Sequence, residues 1–181
     1  TALGTRDLAL LLFLYNTGAR VGEALGVRPA DLHLASPAQV RLHGKGSKDR
    51  LCPLWRETAS ALARMLRADV GSDSPIFRSA RGQPLSRDGV AYILDKYVRL
   101  ATRDVPMLVR RRVTQHVLRP SCAVALLQAG MDLTVIRDYL GHASVATTNR
   151  YVSANLAMKR GALDAFWRRS GLSPASPAPW R

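Results

Sequence analysis

The sequence predicts a mainly helical domain that carries a small antiparallel β element. Helical periodicity recurs along most of the 181 residues, and several segments begin with Ser, Thr or Asp. Two short alternating runs, residues 39–43 and 50–54, flank the Gly-rich segment 44–49 and therefore predict a β-hairpin. The hydrophobic content of 47% excludes a disordered chain and is enough for one packed core.

Local start and stop signals place the helices. The apolar stretch 6–16 predicts a buried helix, and Thr17 is expected to cap a second, short helix that ends at Leu25. Pro120 lies inside a predicted helix, which we therefore expect to start late or to bend near Arg119. The further predicted helices cover residues 57–70, 86–101, 114–129 and 132–140, a short segment from Ser144, and residues 153–170.

The net charge of +14 points to a polyanionic partner. Of the 27 basic residues 23 are arginines, whose planar guanidinium grips phosphate oxygens in pairs. A compact domain this basic indicates nucleic acid rather than a membrane surface. The longest apolar run, residues 8–14, is far shorter than the roughly 20 residues that cross a bilayer.

Cysteine and histidine usage argues against disulfides and metals. Cys52 and Cys122 are expected to be buried, small apolar residues in a reducing compartment. The four histidines lack zinc-ligand spacing, so we expect no metal and no cofactor. The chain begins at Thr1 rather than Met, which indicates a fragment or a processed protein.

Four segments carry the chemistry when they are taken together. They are TGARVGEAL at residues 17–25, GKGSKDRL at 44–51, HVLR at 116–119 and LGHASVATTNRYV at 140–152. In this order and spacing they resemble the catalytic domain of the tyrosine recombinases, the phage integrase family, and the resemblance extends over about residues 5–167. The fold implied is that catalytic domain over residues 1–170, with a flexible Pro/Ser-rich tail at 171–181.

Carried over residue by residue, the resemblance implies six catalytic side chains: Arg20, Lys45, His116, Arg119, His142 and Tyr151. Fixed arginines stabilise the charge that develops on an attacked phosphodiester without a metal. The implied nucleophile is Tyr151, with His116 as base or proton relay and Lys45 as acid for the leaving 5′ oxygen. Glu23 is expected to orient or neutralise a neighbouring arginine.

Alternatives accompany several of these assignments. Arg20 could be a solvated helix residue, Lys48 competes with Lys45, and Tyr139 is an alternative hydroxyl that precedes the L-G-H motif. Relatives commonly have histidine where this chain has Pro120, and proline could shift Arg119. The run Arg110, Arg111 and Arg112 either grips DNA phosphates or is a solvated loop.

The function implied is site-specific recombination of double-stranded DNA by a bacterial, cytoplasmic, nucleoid-associated enzyme. We expect a homo-oligomer on DNA, four subunits in the synapse, with the C-terminal helix (residues 154–169) docking on a neighbour. Relatives complete a clamp around DNA with an additional N-terminal domain, which we expect this chain to lack. The competing interpretations are a type IB topoisomerase and a non-catalytic DNA-binding module.

Overall fold

A computed structural model describes residues 1–44, 49–66, 73–110 and 113–141. Within these ranges the chain forms six α-helices and one three-stranded antiparallel sheet, which confirms the predicted fold class. None of the helices in these ranges is both long and apolar enough to cross a membrane. The predicted helices from Ser144 onward and the tail at 171–181 lie outside the described residues.

The element bounds are as follows. The helices are α1 Ala2–Thr17, α2 Val21–Leu25, α3 Arg56–Leu66, α4 Arg87–Ala101, α5 Gln115–Gln128 and α6 Leu133–Leu140. The strands are β1 Leu32–His33, β2 Gln39–His43 and β3 Asp49–Pro53, and single 3₁₀ turns cover Pro29–Asp31 and Pro106–Arg110.

Two of the predicted helix caps are confirmed. The Ser86 hydroxyl accepts a hydrogen bond from the Gly89 N–H at 3.0 Å, and the Asp132 carboxylate accepts one from the Thr134 N–H at 2.7 Å. Each side chain accepts a hydrogen bond from a backbone N–H that has no partner within its own helix. These two hydrogen bonds fix where α4 and α6 begin.

A third predicted cap is wrong, and one of the two alternatives predicted for α5 is excluded. Thr17 does not cap α2 but ends α1, where its hydroxyl donates to the Phe13 carbonyl at 2.7 Å. The hydroxyl of a threonine at the end of a helix can bond to a carbonyl of the preceding turn, and it then does not cap the next helix. Helix α5 does not start late, because it begins at Gln115 and contains Pro120. The alternative, a bend near Arg119, stays a prediction.

The sheet has the order β1-β2-β3, and the predicted hairpin is its β2–β3 pair. Val40 lies opposite Cys52 and is fully buried, as is Leu42, whereas the alternate residues of β2 face outward or are half-buried. Strand β1 was not predicted. The turn between β2 and β3, which carries Lys45 and Lys48, lies outside the described residues.

Two apolar clusters form the interior. The larger cluster is formed by the helices α1, α2, α3 and α4 together with the sheet. At its centre the rings of Phe13 and Phe77 meet edge-to-face at a centroid distance of 5.7 Å. The smaller one lies between α5 and α6 and is built on Cys122, Leu127 and Ile136. Cys52 in the larger cluster is buried as well, so the predicted burial of both cysteines is confirmed.

A buried asparagine connects helix α1 to the strand β3 and helix α6. The Asn16 side chain accepts from the Trp55 N–H at 2.8 Å and donates to the Pro53 carbonyl at 3.2 Å. The backbone carbonyl of Asn16 accepts a hydrogen bond from the Tyr139 hydroxyl at 2.7 Å. Buried polar groups stabilise a fold when they are paired, and these bonds fix the position of α6 relative to the sheet.

Candidate active site

A cleft of about 400 Å³ lies between the start of α2, the start of α4 and the first turns of α5. We call it the basic cleft; its lining residues are Ala19, Arg20, Val21, Gly22, Arg87, Gln115, His116 and Arg119. Three predicted catalytic residues, Arg20, His116 and Arg119, therefore meet at one place although up to 99 residues separate them in the chain.

Six of the other predicted site residues lie outside the described residues; they are Lys45, Lys48, Arg111, Arg112, His142 and Tyr151. Arg110 is described: it is exposed at the end of its 3₁₀ turn and does not line the basic cleft.

A tight turn between α1 and α2 positions Arg20. Gly18 ends α1 in the left-handed conformation, with φ 56° and ψ 24°, and Arg20 then precedes the first turn of α2 in extended conformation. The Glu23 carboxylate accepts from the Arg20 N–H at 2.9 Å and from Arg20 Nη1 at 2.7 Å. Glu23 thus holds both the backbone and the half-exposed side chain of Arg20 at the cleft.

Arg50, which sequence analysis did not single out, completes this network. Its Nη2 donates to Glu23 Oε2 at 2.7 Å, so Glu23 is shared between two arginines. Burial favours the neutral acid, but hydrogen bonds from Arg50 and Arg20 outweigh it and lower the pKa of Glu23 below its ordinary value. Glu23 is therefore ionised at neutral pH and leaves the surplus positive charge to the arginines.

Two arginines also hold the end of α6. Arg50 Nε donates to the Tyr139 carbonyl at 3.0 Å, and Arg119 Nη2 donates to the Leu140 carbonyl at 2.6 Å. The last carbonyls of a helix have no partner within it, and cations are favourable at this end. Gly141 ends α6 in the left-handed conformation, so these bonds fix the last turn of the helix up to that residue.

Arg119 is anchored at a second point. Its Nη1 donates to the Gly18 carbonyl at 2.5 Å, so one guanidinium joins the end of α1 to the end of α6. His116 lies one turn earlier on the same helix face and is exposed to the cleft. Pro120 therefore does not displace Arg119 from the cleft, and both terminal nitrogens of Arg119 are hydrogen-bonded.

Tyr139 is unsuited to act as a nucleophile. Its hydroxyl donates to the Asn16 carbonyl, and Tyr139 does not line the basic cleft. Burial raises the pKa of the Tyr139 hydroxyl far above its ordinary value, so the phenolate is disfavoured there. The alternative hydroxyl considered from sequence is in this way excluded on geometry.

A histidine bridges two acids at the base of the β2–β3 turn. His43 Nδ1 lies 2.9 Å from Asp49 Oδ1, and His43 Nε2 lies 2.9 Å from Asp31 Oδ1. The hydrogen bonds to Asp31 and Asp49 raise the pKa of His43 above its ordinary value. Because His43 and Asp49 are the adjacent ends of β2 and β3, this bridge holds the two strands together where they enter the turn.

The chemistry of the described part of the cleft is that of an anion site. Arginine guanidinium groups and an imidazole converge there, and in the described ranges no three His, Cys, Asp or Glu side chains cluster closely enough to hold a metal ion. Such a set binds and polarises a phosphate group through charge-assisted hydrogen bonds.

Comparison with known proteins shows the family of this chain. The profile of the phage integrase family matches residues 1–158. The chain belongs to the phage integrase family. A putative integrase/recombinase of Sinorhizobium fredii, y4rC, is 44% identical over 171 residues, which cover 94% of this chain and 52% of the relative. The tyrosine recombinase XerC of Pelobacter propionicus is 35% identical over 155 residues, 84% of this chain and 49% of the relative.

A solved structure gives the same fold. The XerH site-specific recombinase, bound to its difH substrate before cleavage, superimposes with a TM-score of 0.72 at 27% sequence identity. The match covers 84% of this chain and 44% of that one. This member of the phage integrase family therefore spans about half the length of the curated relatives it matches.

Proposed function

We propose that this chain is the catalytic part of a site-specific DNA recombinase that cuts and rejoins double-stranded DNA through a phosphotyrosine. One observation carries the proposal: Arg20, His116 and Arg119 converge on a single cleft, where Glu23 holds Arg20 and the carbonyls of Gly18 and Leu140 hold Arg119. Membership of the phage integrase family and the likeness to XerH support it. No metal or cofactor takes part in the proposed reaction.

The proposed reaction uses residues from the cleft and from the segments outside the described ranges. The Tyr151 oxygen attacks the scissile phosphorus, and its proton passes to His116. The new tyrosine–phosphorus bond replaces the bond to the 5′ oxygen, which takes a proton from Lys45 and leaves as a hydroxyl. Arg20, Arg119 and His142 stabilise the non-bridging oxygens during the transfer.

Rejoining is the reverse of the same step. A 5′-hydroxyl from a second strand attacks the phosphotyrosine and gives its proton to Lys45, and the bond from phosphorus to Tyr151 breaks as the tyrosine oxygen takes its proton back from His116. Because the phosphotyrosine keeps the energy of the broken bond, the exchange needs no nucleotide cofactor.

The proposal includes the wider assembly. Residues 1–170 would form the catalytic domain and 171–181 a flexible tail, and four copies would meet on two duplexes with residues 154–169 docking on a neighbour. Arg110, Arg111, Arg112 and Lys48 would add phosphate contacts beside the cleft. The exposed position of Arg110 supports its part in this set.

Covalent trapping tests the proposed reaction. The protein is incubated with supercoiled or nicked DNA, quenched with detergent and examined for protein-linked DNA. We expect an adduct that Tyr151→Phe abolishes and that Tyr139→Phe retains after correction for folded protein. An adduct that survives in Tyr151→Phe would refute the assignment of the nucleophile. Joining of strands from two different duplexes, rather than relaxation alone, separates a recombinase from a topoisomerase.

A further inference from the structure

Arg87 lines the basic cleft but belongs to none of the four segments that carry the family resemblance. It is the first residue of α4, and the Ser86 cap fixes where that helix begins. Its side chain therefore reaches the cleft from an element that contributes none of the predicted catalytic groups. The described part of the cleft holds three arginines, not the two that the family pattern supplies.

The guanidinium of Arg87 lies against the backbone of α2. A Cβ atom built on Gly22 would lie only 3.2 Å from Arg87 Nη2, which is tighter than an ordinary contact. Glycine at position 22 leaves room for this approach. Gly22 is two residues after Arg20. The Arg87 guanidinium therefore lies beside α2, the helix that begins directly after Arg20.

The hydrogen bonds and ion pairs of the three arginines distinguish Arg87 from the other two. Arg20 is paired with Glu23, and Arg119 is engaged by the carbonyls of Gly18 and Leu140. Within the described ranges Arg87 makes no hydrogen bond and no ion pair, not even with the adjacent Asp88. Its donors are therefore available to a ligand.

The number of guanidinium groups exceeds what one phosphate needs. A phosphodiester carries a single negative charge, and Arg20 and Arg119 already supply two cations to it. On a DNA strand the next phosphate follows after about 3.4 Å of helix axis, so a third cation beside the first two meets another phosphate rather than the same one.

We propose that Arg87 binds the backbone phosphate next to the scissile phosphate on the same strand. Arg87 thereby fixes the strand in register with the cleft without acting on the reacting phosphorus. The inference rests on the proposed function, since it takes the scissile phosphate to occupy the basic cleft.

Salt-dependent binding to a 30-base-pair duplex of mixed sequence tests this inference. The variants are Arg87→Gln, Arg87→Lys and the control Arg103→Gln, an exposed arginine just beyond the other end of α4. We expect Arg87→Gln to weaken binding roughly fivefold at 0.1 M salt and to reduce the slope of log K against log salt by about 0.9, the loss of one phosphate contact. Arg87→Lys keeps the slope, and Arg103→Gln matches the unsubstituted chain.

The yield of covalent adduct separates a binding role from a catalytic one. For Arg87→Gln we expect a reduced yield at low protein concentration that rises as protein is added, whereas Arg119→Gln stays slow at every concentration. An unchanged salt slope in Arg87→Gln, or an adduct rate that stays as low as that of Arg119→Gln at saturation, would overturn the inference. A changed slope in a chain that forms no adduct would instead support Arg87 as a phosphate contact and refute the proposed reaction.

Discussion

Arg50 donates through Nη2 to the Glu23 carboxylate at 2.7 Å, and the two side chains are only 11% and 6% exposed. This ion pair lies behind the basic cleft: Glu23 also holds Arg20, and Arg50 also holds the Tyr139 carbonyl. The strand that follows the lysine turn is in this way connected to the first arginine and to the end of α6. A change at Arg50 therefore reaches three parts of the site at once.

The Glu23–Arg50 pair is predicted to be strongly coupled. Arg50→Met leaves a buried carboxylate with Arg20 alone, and we expect it to lower the free energy of unfolding by about 3 kcal/mol. The double variant Glu23→Gln, Arg50→Met removes both charges and should recover at least half of that loss. Urea denaturation of both variants measures the coupling.

The exposed pair Asp95–Arg99, at 2.8 Å on the surface of α4, serves as a control for this double-mutant cycle. Its coupling is expected to be about 0.4 kcal/mol because solvent screens both groups. Equal couplings for the two pairs would contradict the structural role given to Glu23 and Arg50.

Arg119 is predicted not to tolerate lysine. Its two terminal nitrogens bond the carbonyls of Gly18 and Leu140, and a single ammonium cannot reproduce this fork. We expect Arg119→Lys to lower the free energy of unfolding by about 1–3 kcal/mol and to slow adduct formation at saturating DNA. Arg137→Lys, on the surface of α6, is the control and should change neither quantity; a similar loss there would point to a general effect of the substitution.

Gly18 is predicted to be among the most sensitive glycines. Its φ of 56° disfavours any side chain, and an added Cβ would collide with Leu140 and press on Cys122. We expect Gly18→Ala to lower the free energy of unfolding by about 2–4 kcal/mol. Gly82 has a similar φ of 75° with nothing within 4 Å, so Gly82→Ala reports the backbone cost alone, about 1 kcal/mol. Equal costs in thermal or urea unfolding would rule out the collision.

The His43 bridge predicts a pH dependence of stability. Because hydrogen bonds to Asp31 and Asp49 raise the pKa of His43 in the folded protein, the bridge stabilises fully below about pH 6.5, the ordinary value. That stabilisation is lost as the pH rises through the folded pKa. We expect the stability difference between the unsubstituted chain and His43→Gln to be larger at pH 6 than at pH 9, measured by urea unfolding. A difference that grows with pH would contradict this sign.

Sequence patterns predicted local features well. Ser86 and Asp132 cap helices because their partners are only three and two residues away, respectively, and the hairpin follows from alternation on both sides of a Gly-rich turn. Strand β1 was missed because two residues leave no periodicity to detect. Thr17 was misassigned because its hydroxyl had two possible partners, the preceding turn and the following helix.

The supporting residues of the site were harder to predict than its motif residues. Arg20, His116 and Arg119 are separated widely but stand in recognisable segments. Arg50 acts through partners 27 and 89 residues away, and Arg87 reaches the cleft from an unrelated helix. Only the presence of arginine in the quoted GKGSKDRL segment could have drawn attention to Arg50.

The two apolar clusters of this fold meet at a seam that is crossed by hydrogen bonds, from Tyr139 to Asn16 and from Arg119 to the Gly18 carbonyl, and where Leu118 of α5 packs against the larger cluster. A shift of the α5–α6 hairpin against the rest of the domain would therefore break these hydrogen bonds and expose hydrocarbon at the same time. Arg20 and Arg119 stand on opposite sides of this seam. The proposed binding of one phosphate by both arginines therefore depends on this seam staying closed.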